Sequence, residues 1–144
     1  MFRRSLLAAA FVAGFAVSAT AATVQFHTTL NGASEVPPTN SKGSGEVQAT
    51  LNTETHQLTY ETTWHGLSTP ATMAHFHGPA AAGKNAAIQV WLSKKGTSPT
   101  APLKGTVTLT PEQQRQLMSG LWYANVHSRA HPAGAIRGQM EAVK

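Results

Sequence analysis

Apolar and polar residues alternate along most of the chain, which is the pattern of strands with one buried and one exposed face. The alternation is clearest around Phe26, Tyr60 and Val126, each of which belongs to a series of apolar or aromatic residues spaced two apart. Frequent Gly and Pro separate the alternating segments and place turns between them. The pattern predicts eight strands, over residues 23–30, 45–51, 57–65, 72–77, 87–92, 104–109, 121–127 and 135–141.

One segment departs from this alternation and predicts a short helix near residues 111–119. Thr110 is a favourable N-cap, Pro111 suits the first helical position, and Gln113 completes a capping box. Gly120 is typical of the residue that follows the end of a helix. About eight short strands and one short helix favour an all-β fold, either an antiparallel β-sandwich or a partly closed barrel.

The first 21 residues differ from the rest and are predicted to be a signal peptide. Arg3 and Arg4 precede an apolar run over residues 6–17, and Ala19-Thr20-Ala21 is a small-residue cleavage site. The run is shorter than the ~20 residues that a transmembrane helix needs. We therefore expect a single β domain over residues 22–144, periplasmic or secreted, with no transmembrane anchor after cleavage.

Composition excludes several classes of function. The formal charge is only +5, and Lys94-Lys95 is the longest basic run after the signal peptide, so we expect no nucleic-acid partner. The chain has no Cys, which excludes disulfides, iron–sulfur clusters, thiolate zinc or blue-copper sites and a cysteine nucleophile. It also has no Asp, so a Ser-His-Asp triad is impossible.

The seven histidines are the remaining candidates for chemistry, and two of them are placed for metal binding. His75 and His77 lie two apart in a predicted strand, so they share one face, while Ala74 and Phe76 face the core. Both imidazoles should then point away from the core, toward a loop or solvent. Strand geometry puts their Cβ atoms roughly 6–7 Å apart, from which two ring nitrogens can reach one metal ion. The same pattern also occurs in strands that merely carry two solvated histidines.

His127 is a third candidate ligand by the same reasoning. Trp122, Ala124 and Val126 face the core, so Asn125 and His127 face the other way. If the two strands are neighbours, three imidazoles meet, and such a set suits copper or zinc. The possible additional ligands in a fourth position are His131, Met73 and Glu35.

Four groups of residues resemble the motifs of the CHRD domain, the module named after chordin. They follow the order of that family and comprise residues 30–38, 66–67 with 74–80, 123–128, and 132–139. The resemblance implies an extracytoplasmic, β-rich domain that spans almost all of residues 22–144. It implies no particular activity, because a fold family does not fix function. Ser128 and Ala135 depart from the residues common in the family, and neither departure affects a histidine.

A fainter similarity links the histidines to those of copper–zinc superoxide dismutases. That family also pairs an H-x-H strand with a later histidine strand, and it has a Gly-rich turn with a functional Arg, here residues 134–137. The absence of Cys and Asp from this chain argues against its bimetallic site. A single copper site remains compatible with the residues.

Three hypotheses about function follow. The first is an exported protein that binds one copper or zinc ion through His75, His77 and His127. Asn125 would orient a ligand, and Arg137 would attract an anion or fix the Gly-rich turn. The second is a copper-dependent redox enzyme with dismutase-like chemistry on the same site. The third is a metal-free binding or structural module with an extracytoplasmic protein partner.

Overall fold

Nine strands and one α-helix form the regular structure of residues 22–144, the part of the chain that the computed structural model describes. The predicted signal peptide lies outside the described residues. The elements are β1 (Thr23–Asn31), β2 (Ser44–Asn52), β3 (Gln57–His65), β4 (Ala71–His77), β5 (Ile88–Trp91), β6 (Leu103–Thr108), α1 (Pro111–Met118), β7 (Tyr123–Ser128), β8 (Ile136–Gln139) and β9 (Glu141–Ala142). Each predicted strand is present, and the last is divided in two at Met140.

All strand pairs are antiparallel and belong to one sheet. The strand order is β5-β4-β7-β8-β1-β2-β3-β6, and β9 pairs with β1. The sheet is nearly closed into a barrel. The partly closed barrel is therefore the correct one of the two predicted architectures. None of the helices within residues 22–144 has the length and apolar character needed to cross a bilayer.

Helix α1 lies between the two ends of this strand order. Its N-terminus has the predicted capping box, in which the Thr110 hydroxyl accepts from the Gln113 amide and the Gln113 side chain accepts from the Thr110 amide. The Gln113 side chain also donates to Gln89 in β5, while Gln114 contacts the β2–β3 hairpin through His56. The helix thus contacts both β5 and the β2–β3 hairpin.

The core lies inside the barrel and is built from the alternate residues that the sequence predicts. Phe26, Phe76 and Trp122 are its largest fully buried side chains, and each is no more than 2% exposed. The alternation over residues 87–92 predicts that Ile88, Val90 and Leu92 share the core face, but Ile88 is 40% exposed. The register between β4 and β5 shifts between Phe76 and His77, so Ile88 pairs with His77 and leaves the inward series. The outward faces of β4 and β7 carry the candidate functional site.

Candidate metal centre

Strands β4 and β7 are neighbours, as the third-ligand hypothesis requires. Their register is continuous from Met73 opposite His127, through His75 opposite Asn125, to His77 opposite Tyr123. Residues directly opposite each other in a sheet have side chains on the same face. All three histidines therefore lie on the outward face of two adjacent strands.

The three rings meet closely enough for one ion. One nitrogen from each ring lies within 4.8 Å of a nitrogen of the other two, and His75 Nδ1 is 3.3 Å from His127 Nε2. Two nitrogens bound tetrahedrally at ~2.0–2.1 Å from zinc or copper lie roughly 3.3 Å apart. The two ring nitrogens that are farthest apart would therefore have to approach each other by about 1.5 Å at most. Small rotations of the rings are sufficient for this.

The histidines face away from the core as expected, but they do not face solvent. His75, His77 and His127 are only 1%, 9% and 8% exposed. The Trp91 ring packs edge-on against His75 with 4.2 Å between centroids. The loop at residues 84–86 and the turn at Pro132 contact the other two rings. Of the two expected surroundings, a loop or solvent, the loop is therefore the correct one for His77 and His127.

Backbone carbonyls fix the orientation of two rings. His77 Nδ1 lies 3.0 Å from the Ala86 carbonyl oxygen, and His127 Nδ1 lies 2.8 Å from that of Pro132. A carbonyl only accepts, so each Nδ1 carries the hydrogen and donates it. In a neutral ring the Nε2 atom then holds the lone pair. Both lone pairs point into the cluster, as metal ligation requires.

Burial keeps the rings neutral. Burial, followed by the proximity of His127 and His77, lowers the pKa of His75 to about 4. Burial also lowers the pKa of His77 and of His127, although the carbonyls of Ala86 and Pro132 partly oppose the shift. At neutral pH all three imidazoles are unprotonated, which is the form that binds a metal.

One feature inside the cluster favours a positive charge. Asn125 Oδ1 lies 3.1 Å from both His77 Nε2 and His127 Nε2, so an oxygen acceptor faces two lone pairs. Buried polar atoms are almost always satisfied. A cation held by His77 Nε2 and His127 Nε2 would use both lone pairs and attract the Asn125 oxygen, so the residues present fit a metal ion.

Tyr123 and the loop at residues 84–86 were missed as parts of the site. The Tyr123 ring stacks parallel on His77 at 4.8 Å between centroids, and its hydroxyl bonds to the backbone of Ala86. The sequence contained one signal, since Tyr123 lies two residues before Asn125 on the same outward face. The loop contains no alternation or motif that points to the site, and only the fold brings it there.

Arg137 lies behind this stack. It is 2% exposed, and its Cζ atom is 3.4 Å from the centroid of the Tyr123 ring. Its two terminal nitrogens donate to Asn85 Oδ1 at 2.9 Å and to the Lys84 carbonyl at 2.5 Å. The guanidinium therefore holds the loop that orients His77, rather than presenting itself to an anion in solvent.

The three possible fourth ligands lie at different places. Glu35 is 5% exposed and is not a member of the three-histidine group. Burial raises its pKa to about 7, although Arg137 and Asn125 oppose the shift. Gly134 makes this burial possible, because a Cβ atom there would meet the carboxylate.

His131 is outside the group too, with Nε2 3.0 Å from Asn40 Oδ1. Met73 lies directly opposite His127.

A comparison with known families agrees with the resemblance that the motifs show. Residues 26–140 match the family model of the CHRD domain. The chain belongs to the CHRD family. All three histidines of this CHRD domain lie within the matched residues, on β4 and β7. No curated protein and no solved structure matches the chain significantly.

Proposed function

We propose that this CHRD domain is an exported protein that binds one metal ion, copper or zinc, through His75, His77 and His127. The observation that carries the proposal is the convergence of three buried, neutral imidazoles on the outward face of two adjacent strands. Imidazole suits both metals, and the general order of affinities favours divalent copper over zinc. The predicted signal peptide at residues 1–21 supports export.

Each surrounding residue has a role in holding the ligands. The Ala86 and Pro132 carbonyls fix the tautomers of His77 and His127. Tyr123 and Arg137 support the loop that carries Ala86. An ion bound here acts as a Lewis acid or a redox centre according to its identity. The low exposure of the three rings limits access of a small oxidant, so binding rather than turnover is the activity that we propose.

Metal content is the direct test of the proposed site. The protein, purified without a histidine tag, is loaded with Cu(II) or Zn(II), freed of excess metal and analysed by mass spectrometry of the elements. We expect one ion in the wild type, none in His75→Ala and none in His127→Ala. His27→Ala is the matched control, because His27 is solvent-accessible on β1, and it should keep the ion. Metal-free wild type would refute the proposal and favour the metal-free module.

The pH dependence of binding should reflect the lowered pKa values. Protons compete for a ligand nitrogen only below its pKa, so affinity is constant above that value and falls below it. An exposed imidazole would begin to lose metal near pH ~6.5. Because burial lowers the pKa of all three rings, and that of His75 to about 4, we expect the affinity to fall at a lower pH than it would for exposed rings. A competition titration across this range measures it, and a midpoint at or above pH ~6.5 would contradict the assignment.

A further inference from the structure

Met73 occupies a place beside the histidines that none of the preceding roles explains. It lies two residues before His75 and four before His77, on the same outward face of β4, and its cross-strand partner is His127. Directly opposite residues have Cβ atoms about 4.5–5.5 Å apart. A methionine side chain has three rotatable bonds and readily adapts to an irregular space. Its thioether can therefore reach the edge of the histidine group.

Met73 also differs from the histidines in exposure. The three rings are almost fully buried, whereas Met73 is half-buried. The Trp91 ring lies on the other side of β4 from β7, packed against His75. Trp91 is also partly exposed, at 38%, but its indole offers no lone pair to a metal, so Met73 is the partly exposed neighbour that can act as a ligand.

No carboxylate of the described residues belongs to the histidine group, so little negative charge adjoins a bound ion. Glu35, which interacts with Asn125 and Arg137, lies outside the group. Arg137 places a permanent positive charge behind Tyr123. The remaining glutamates lie elsewhere on the fold, at Glu46, Glu54, Glu61, Glu112 and Glu141. The free energy needed to bury an ion rises with the square of its charge, so a divalent ion costs about four times as much as a monovalent one.

A thioether and three imidazoles form a neutral and comparatively soft donor set. Soft sulfur ligands select Cu(I), whereas carboxylate and water ligands suit harder divalent ions. We propose that the site holds monovalent copper, with the Met73 sulfur as the fourth ligand beside the three histidines. This inference rests on the proposed function and assigns the oxidation state of the ion and the ligand that selects it.

The test compares Cu(I) and Zn(II) affinity in matched methionine variants. Cu(I) is titrated without oxygen against a coloured Cu(I) chelator, and Zn(II) is titrated against a zinc-binding dye. Met73→Leu keeps the size of the side chain and removes the sulfur. We expect it to weaken Cu(I) binding about tenfold or more while Zn(II) affinity stays within about twofold. Met118→Leu, on the exposed face of α1, should change neither affinity.

A second measurement on the wild-type sequence does not depend on the stability of a variant. X-ray absorption at the copper edge of Cu(I)-loaded, selenomethionine-labelled protein should show a copper–selenium contact. Absence of that contact, or equal Cu(I) affinity in wild type and Met73→Leu, would overturn the inference while leaving histidine ligation intact. Tighter binding of Zn(II) than of Cu(I) by the wild type would overturn it as well. Uptake of neither metal would instead refute the proposed function.

Discussion

Replacement of Arg137 by alanine is expected to lower the free energy of unfolding of the metal-free protein by about 3 kcal/mol. The guanidinium makes two hydrogen bonds to the loop at residues 84–86 and stacks on the Tyr123 ring. A hydrogen bond from a charged donor contributes about 1.5–3 kcal/mol, and a desolvated cation–π contact contributes about 2 kcal/mol. Part of this gain offsets the cost of burying the charge, so the net effect is smaller than the sum.

The same substitution should also weaken metal binding. Arg137, Tyr123 and His77 form a continuous stack, and the loop that Arg137 holds contains the Ala86 carbonyl that orients His77. Release of this loop leaves the ring free to turn. We expect metal affinity to fall about 10–100-fold, as it does when the partner that orients a ligand histidine is lost.

Denaturant unfolding of the metal-free variants measures the first effect. Arg115→Ala is the control, because Arg115 is exposed on α1 and pairs only with Glu112 at the surface, and it should leave the midpoint unchanged. Arg137→Lys should recover part of the stability, because lysine retains the positive charge but lacks the planar guanidinium group that makes two hydrogen bonds. An unchanged midpoint in Arg137→Ala would mean that the loop is held without the guanidinium.

The helix and most of the strands follow from local sequence alone. The helix was predicted within one residue of its observed bounds because Thr110, Pro111 and Gln113 act within a single turn. The strands were predicted because period-two alternation is a local signal. Ile88 was assigned to the wrong face because the register shift that exposes it depends on how β5 pairs with β4. Strand order and register therefore lie beyond what the local pattern determines.

The candidate site could likewise be predicted only in part from the sequence. The three histidines could be selected from spacing and face, since His75 and His77 are two apart and His127 alternates with core residues. Their burial could not be predicted from the alternation, because Trp91 and residues 84–86 contact the rings only once β5 and its preceding loop pack beside β4. Glu35 is a similar case. The sequence identifies its carboxyl as a possible ligand, but it does not predict that this carboxyl is buried against Gly134.

Replacement of Glu35 by glutamine should stabilise the metal-free protein, and the gain should depend on pH. Burial raises the pKa of Glu35 from 4.5 to about 7 in the folded protein, against the opposing effects of Arg137 and Asn125. Between these values the folded state binds a proton that the unfolded state releases. The stability linked to this group is therefore fully present below pH 4.5 and is lost as the pH rises to about 7. The loss amounts to about 3 kcal/mol.

The histidines act in the opposite direction over an overlapping range. The pKa of His75 falls from 6.5 to about 4 on folding, so its contribution is fully present above pH 6.5 and is lost as the pH falls toward 4. Since His77 and His127 shift in the same direction, they add to this effect. In the wild type, the opposite pH dependence of Glu35 cancels part of the histidine contribution to stability between pH 4.5 and 6.5.

The difference between variant and wild type isolates the contribution of Glu35, because the histidine contributions cancel in it. We expect no difference in the free energy of unfolding near pH ~4 and a gain of about 3 kcal/mol in Glu35→Gln near pH ~8. Denaturant unfolding in the presence of a chelator measures both values. Glu61→Gln is the control, because Glu61 is an exposed partner of Lys104 and should show no such dependence. A difference that is the same at every pH would show that Glu35 is ionised in the folded protein, with a counter-charge that offsets its burial.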